Sequence, residues 1–121
     1  MRKATIVESS RELTAKERVA MKSKADMIML NTACDIEALV IKPELWAVVE
    51  VQVDEEEPYN NYVIVDADGT KYYTGSESLW NAFMEIYNEM SAEPDTEYSV
   101  KVFKCNSKNR DGQKFITCSI I

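Results

Sequence analysis

The chain has 121 residues, 45% of them apolar and 29% charged, with a formal net charge of -7 and no histidine. That length supports one ordinary hydrophobic core, and no stretch approaches the roughly 18 consecutive apolar residues a membrane-spanning helix needs. Without imidazole, the commonest general base and the commonest metal ligand are both missing. Three cysteines, Cys34, Cys105 and Cys118, are odd in number and lack CxxC spacing, so they read as reduced thiols of a cytoplasmic protein.

The charge is unevenly spread. Residues 1–24 hold seven Lys/Arg against three Glu, residues 25–100 hold two against seventeen Asp/Glu, and residues 101–121 hold five against one. Two basic ends flank an acidic middle. This fits either a local phosphate-binding surface on a repulsive body or ends that pair with the middle.

At the amino end, "MRKATIVESSRELTAKER" has early charges with no apolar run behind them, so it does not read as a secretory signal. Residues 1–33 read as an N-terminal arm, partly helical or mobile. Thr14 and Glu17 stand at capping-box spacing, but few apolar residues follow, so the helix they start is short. Residues 34–121 read as the binding domain.

From about Ile36 the period changes. "IEALVIKPELWAVVEVQV" is rich in Val, Ile and Trp and alternates from Trp46 onward, with Pro43 separating two extended pieces. "DEEEPYN" is an acidic turn. In "YVIVDADGTKYYT", Asp68-Gly69 predicts a two-residue hairpin turn with positive φ at both positions. That turn sets Asp66 against Lys71, Val65 against Tyr72 and Ile64 against Tyr73. Tyr62, Ile64, Asp66, Lys71 and Tyr73 then share one face, leaving Val63, Val65 and Tyr72 for the core.

"GSESLWNAFMEIYNEMSAEP" predicts a helix. Ser76 or Ser78 caps it, Glu77 suits its positive end, and Leu79, Phe83, Ile86, Tyr87 and Met90 form one stripe. Two strands follow, 98–105 and 114–121, joined by "NSKNRDG". The expected fold is mostly β: an OB-fold-like (oligonucleotide-binding) partly open antiparallel barrel with one helix between late strands and a helical N-terminal arm. An α+β sheet with the helix on one face is the competitor.

No GxSxG, Gly-rich phosphate loop or metal-ligand cluster is present, and the run Asp54 to Glu57 lacks EF-hand spacing. The expectation is therefore a protein that is not an enzyme, with no cofactor and no metal site. The final hairpin is more informative. Val100, Val102, Ile116, Cys118 and Ile120 alternate as core, while Lys101, Phe103, Phe115, Thr117 and Ser119 point the other way. Lys104, Lys108, Arg110 and Lys114 surround the connecting loop. Cations that follow a backbone beside rings that stack on unpaired bases suit single-stranded nucleic acid. Tyr62, Lys71 and Tyr73 would extend the surface. The competing role for Phe103 and Phe115 is to cover a second layer.

From "YVIVDADGTKYYTGSESLWNAFMEIY" through "YSVKVFKCNSKNRDGQKFITCSII" the chain resembles the small phage single-stranded DNA-binding proteins that coat displaced strands during replication. Shared are a D-G hairpin, a Ser-led helix, a "VKV" strand, a loop of Ser, Lys and Gly, and a last strand alternating apolar and hydroxyl residues. The resemblance implies an acidic, OB-fold-like protein that binds without sequence preference through aromatic and basic residues. These would be Tyr62, Lys71, Tyr73, Lys101, Phe103, Lys108, Arg110, Lys114 and Phe115. It implies protection of single-stranded DNA in phage or mobile-element replication or recombination, in the host cytoplasm. Its partners would be replication or recombination proteins and further copies of the chain, with no membrane. The rival expectation is an acidic interaction module whose middle imitates a phosphate backbone and occupies a host nucleic-acid enzyme.

Overall fold

The computed structural model describes the backbone of residues 1–106 and 114–121, and the side chains of residues 1–105 and 115–121. In chain order the elements are β1 (Arg2–Ser9), α1 (Ala15–Lys22), β2 (Met27–Met29), α2 (Leu30–Ala33), β3 (Leu39–Ile41), β4 (Pro43–Val53), β5 (Tyr59–Asp66), β6 (Lys71–Thr74), α3 (Glu77–Met90), β7 (Val100–Asn106) and β8 (Lys114–Ile120). With 44% strand and 23% helix, the protein is mostly β, as expected. The strands form two sheets and do not close into a barrel. The reason lies in strand choice: β6 takes β2 as its second neighbour and β7 takes β3, so the strands on either side of α3 never pair. Met1–Met29 and Pro43–Gly75 make one compact unit, and Leu30–Lys42 and Ser76–Ile121 make another.

The first unit is a five-stranded sheet in the order β1-β4-β5-β6-β2, antiparallel except for the parallel β2–β6 pair. One face buries Leu45, Ala47, Val49 and Val51 of β4 and Val63 of β5 with Leu13 and Met21. Ala4, Ile6, Met27, Val53, Val65 and Tyr73 pack around them. On the other face Trp46, Val48, Tyr62, Ile64 and Tyr72 are buried too. Burial of both faces explains why "LWAVV" runs apolar without a break.

The expected N-terminal arm is corrected here, because residues 2–9 are a full strand of this sheet. Arg2 lies opposite Val53 and Ser9 opposite Ala47, with a bulge between Ile6 and Glu8. Their partner lies far along the chain, so no local pattern revealed the pairing. The capping box does form. The Glu17 N–H donates to Thr14 Oγ1 (3.2 Å), and the Thr14 N–H donates to Glu17 Oε1 (2.9 Å). Arg11 holds the same carboxylate in a two-pronged ion pair, at 3.0 and 2.6 Å. Hydrogen bonding from Arg11, then from the Thr14 backbone, pulls the Glu17 carboxyl down to about 2.

The β5–β6 hairpin differs from expectation by one residue. Among the described residues only Asp54 and Gly69 have positive φ, so Asp68 cannot be half of the predicted turn. Instead the Gly69 N–H donates to the Asp66 carbonyl (2.8 Å) and the Asp66 N–H to the Thr70 carbonyl (2.8 Å). This is the three-residue loop in which a left-handed glycine forms a bulge. Val65 therefore faces Lys71, Ile64 faces Tyr72 and Val63 faces Tyr73. A one-residue slip moves every side chain to the other face. Tyr62, Ile64 and Tyr72 share one side, while Lys71 and Tyr73 stand with Val63 and Val65.

The second unit holds the antiparallel sheet β3-β7-β8 and α3, which packs against β8. Ser76 caps the helix by accepting from the Leu79 N–H at 3.2 Å. Leu79, Trp80 and Phe83 form its buried side, and the Phe83 ring lies 5.2 Å from that of Trp80 and 6.4 Å from that of Tyr87. Ile41, Val100, Val102, Ile116 and Cys118 are buried on the strands of this unit.

Candidate nucleic-acid interface

Strand alternation builds the site. Along β7, Val100 and Val102 are buried, so Lys101, Phe103 and Cys105 take the opposite, outward face. On β8, Ser119 lies opposite Lys101, Thr117 opposite Phe103 and Phe115 opposite Cys105. From β3, Val40 joins them beside Lys101 and is 53% exposed. The outward face thus carries two rings, a lysine and two hydroxyls, with no carboxylate at any of these positions.

Phe115 is 43% exposed and Phe103 is half-buried. They are diagonal neighbours on adjacent strands, a spacing of roughly 7–8 Å between backbones. The Lys101 ammonium lies 6.0 Å from the centre of the Phe103 ring, within cation–π range. Flat apolar surface, a fixed cation and hydroxyl donors can together receive bases and the phosphates that link them.

Lys101, Phe103 and Phe115 are the expected site residues that come together. Lys104 is not with them. Alternation turns it to the other face, where it is half-buried and ion-paired with Asp35. Lys108 and Arg110 lie outside the described residues, as does the side chain of Lys114, whose backbone begins β8. Tyr62 is 6% exposed, between Val48 on β4 and Thr74 on β6, so it is a core residue and not a stacking platform. It is buried because both faces of this sheet are buried.

Lys71 and Tyr73 belong to the other unit, on the face of Val63 and Val65. There the Lys24 ammonium lies 5.3 Å from the Tyr73 ring centre and 5.7 Å from that of Tyr59. Lys24 and Tyr59 escaped sequence reasoning because neither sits in a local motif that points to the other. Thr117, Ser119 and Cys105 lie on the outward face by alternation alone.

Burial disfavours the thiolate form of the interior cysteines. Burial pushes the Cys118 thiol up to about 11 and raises that of Cys34 as well. Among the described residues no group of three or more His, Cys, Asp or Glu is placed to hold a metal ion, and no helix is long and apolar enough to cross a membrane. No protein-family model, curated protein or solved structure matches the chain.

Proposed function

We propose that the protein is a non-catalytic single-stranded DNA-binding protein of largely sequence-independent specificity, which coats and protects strands during phage or mobile-element replication or recombination. The observation that carries this is the outward face of β7 and β8, where exposed Phe115 and half-buried Phe103 lie beside Lys101 with no carboxylate at the described strand positions of that face. Rings of this kind stack on any base, because every base has a π-face, and the lysine follows the phosphates. Such binding needs no closed OB barrel, only an open sheet face. The acidic middle of the chain repels neighbouring backbones and confines contact to that face.

Titration of a fluorescent oligonucleotide tests this. Binding should be tight at low salt and weaken as salt is added, by a slope of roughly 0.7 per phosphate neutralised on a single strand. Absence of binding at low salt would overturn it. Salt-sensitive capture of a basic protein partner in its place would favour the acidic mimic.

A further inference from the structure

The basic amino end of the chain, with seven Lys/Arg against three Glu in residues 1–24, belongs to the unit of the five-stranded sheet, so the β7–β8 face does not account for it. Lys24, just past the end of α1, holds its ammonium over two rings at once, 5.3 Å from the centre of Tyr73 and 5.7 Å from that of Tyr59. Both ring faces are thus turned to one point. Tyr59 is 45% exposed and Lys24 is exposed, so the gap between the rings opens to solvent. A flat group can enter it once the flexible lysine stem swings aside.

Asn61 stands on the same face. It alternates with Tyr59 and Val63 along β5, and Val63 lies opposite Tyr73. It is only 7% exposed, yet among the described residues its side chain makes no hydrogen bond. Its amide nitrogen and oxygen keep a thin contact with the surface, so their donors and acceptor remain open to a ligand. Continued one step past the Tyr62–Thr74 pair, the β5–β6 ladder brings Gly75 to Asn61. A Cβ built on Gly75 would meet no atom within 4 Å, so there is open space at that position. A cation–π contact alone would pin the link between α1 and β2 to the sheet, and it would need no amide beside it.

We infer that Tyr59, Tyr73, Asn61 and Lys24 form a second contact for single-stranded DNA, one that takes a single nucleotide on the five-stranded sheet. The base enters between the two rings and stacks on them. Its edge meets the Asn61 amide, which offers donor and acceptor together, as base edges require. Lys24 turns its ammonium from the rings to the phosphate, and Lys71, on the same face as Tyr73, serves the next one. An uncharged ring would leave the lysine without a role, and a bare anion would leave the tyrosines and the amide without one. This inference rests on the single-strand reading and extends it from one face to two.

Photocrosslinking of the full chain to a single strand carrying 5-iododeoxyuridine tests this apart from the hairpin face, because the reagent joins the ring it stacks on and mass spectrometry of the peptides names that ring. Crosslinks should fall on Tyr59 or Tyr73 as well as on Phe103 or Phe115. Crosslinks confined to Phe103 and Phe115 overturn this inference and leave the proposed function standing. Crosslinks confined to Tyr59 and Tyr73 support it and overturn the hairpin face. A wild type that binds no strand at low salt overturns both. Tyr59→Ala should raise Kd roughly 5- to 150-fold, as the loss of one stacking ring does. Lys24→Gln should flatten the dependence of log Kd on log salt by about 0.7. Asn61→Leu should weaken binding roughly tenfold while the urea midpoint holds or rises, because the amide it replaces has no partner in the folded protein. If Asn61→Leu lowers stability and binds like wild type, the amide is structural and the inference falls. It falls too if Tyr59→Ala binds like wild type.

Discussion

Truncating Phe115 to alanine separates stacking from packing. The ring is 43% exposed, so its loss should lower unfolding stability by well under the about 3–5 kcal/mol typical of a buried phenylalanine. Stacking on a base contributes roughly 1–3 kcal/mol, and each 1.4 kcal/mol is about a factor of ten in affinity. Kd for an oligonucleotide should therefore rise by roughly 5- to 150-fold. Phe103→Ala should fall in the same range, with a somewhat larger stability cost because that ring is half-buried. Tyr62→Ala is the control: at 6% exposure it should destabilise by roughly 3 kcal/mol while the folded fraction binds normally. Fluorescence anisotropy and urea unfolding on the same samples measure both quantities. If Phe103→Ala and Phe115→Ala bind like wild type but lose as much stability as Tyr62→Ala, the rings are packing residues and the assignment of the face fails.

Lys101→Ala should flatten the dependence of log Kd on log salt by about 0.7, the loss of one phosphate contact, with little change in stability; anisotropy titrations at several salt concentrations read this directly. Glu17 has a folded-state pKa of about 2, lowered from the ordinary 4.5. Its contribution to stability is thus present above pH 4.5 and is lost as pH falls through about 2. Thermal melts of Glu17→Gln should show a shallower acid decline across that window than wild type. Gly69→Ala should cost about 1–2 kcal/mol, because φ is +92° while an added Cβ meets no atom within 4 Å, so the penalty is purely conformational. In native protein a thiol reagent should modify half-buried Cys105 before buried Cys34 and Cys118, and bound oligonucleotide should slow that reaction.

Local patterns were legible where the physics is local. Ser76 capping α3, the Thr14–Glu17 box and the alternation of "VKVFKC" each depend on residues a few positions apart, and each is found where the spacing puts it. Pairing over distance was not legible. "RKATIVES" gives no sign that Val53 lies opposite Arg2, and β2 is three residues whose parallel partner, β6, lies far along the chain. The Asp68-Gly69 dipeptide allows two loop types, and the choice between them is made by the conformation of Asp68 alone. That single choice put Tyr72 on the face of Tyr62 and Ile64 and moved Lys71 and Tyr73 to the other. At the site, alternation foresaw the company of Lys101, Phe103 and Phe115, whereas Lys104 was misplaced because its nearness to the loop outweighed its parity.

The interleaving of the two units bears on how the protein is made. Leu39–Ile41 hydrogen-bonds to Val100–Val102, and the strands from Pro43 to Thr74, which belong to the other sheet, come between them. During translation the five-stranded sheet can complete itself while β3 waits, tethered at both ends, for β7 to leave the ribosome. Contacts so distant along the chain form slowly. A nascent chain of which only the stretch through β6 has left the ribosome would therefore display one finished sheet and one orphan strand, which is the stage at which chaperone capture or mispairing would act.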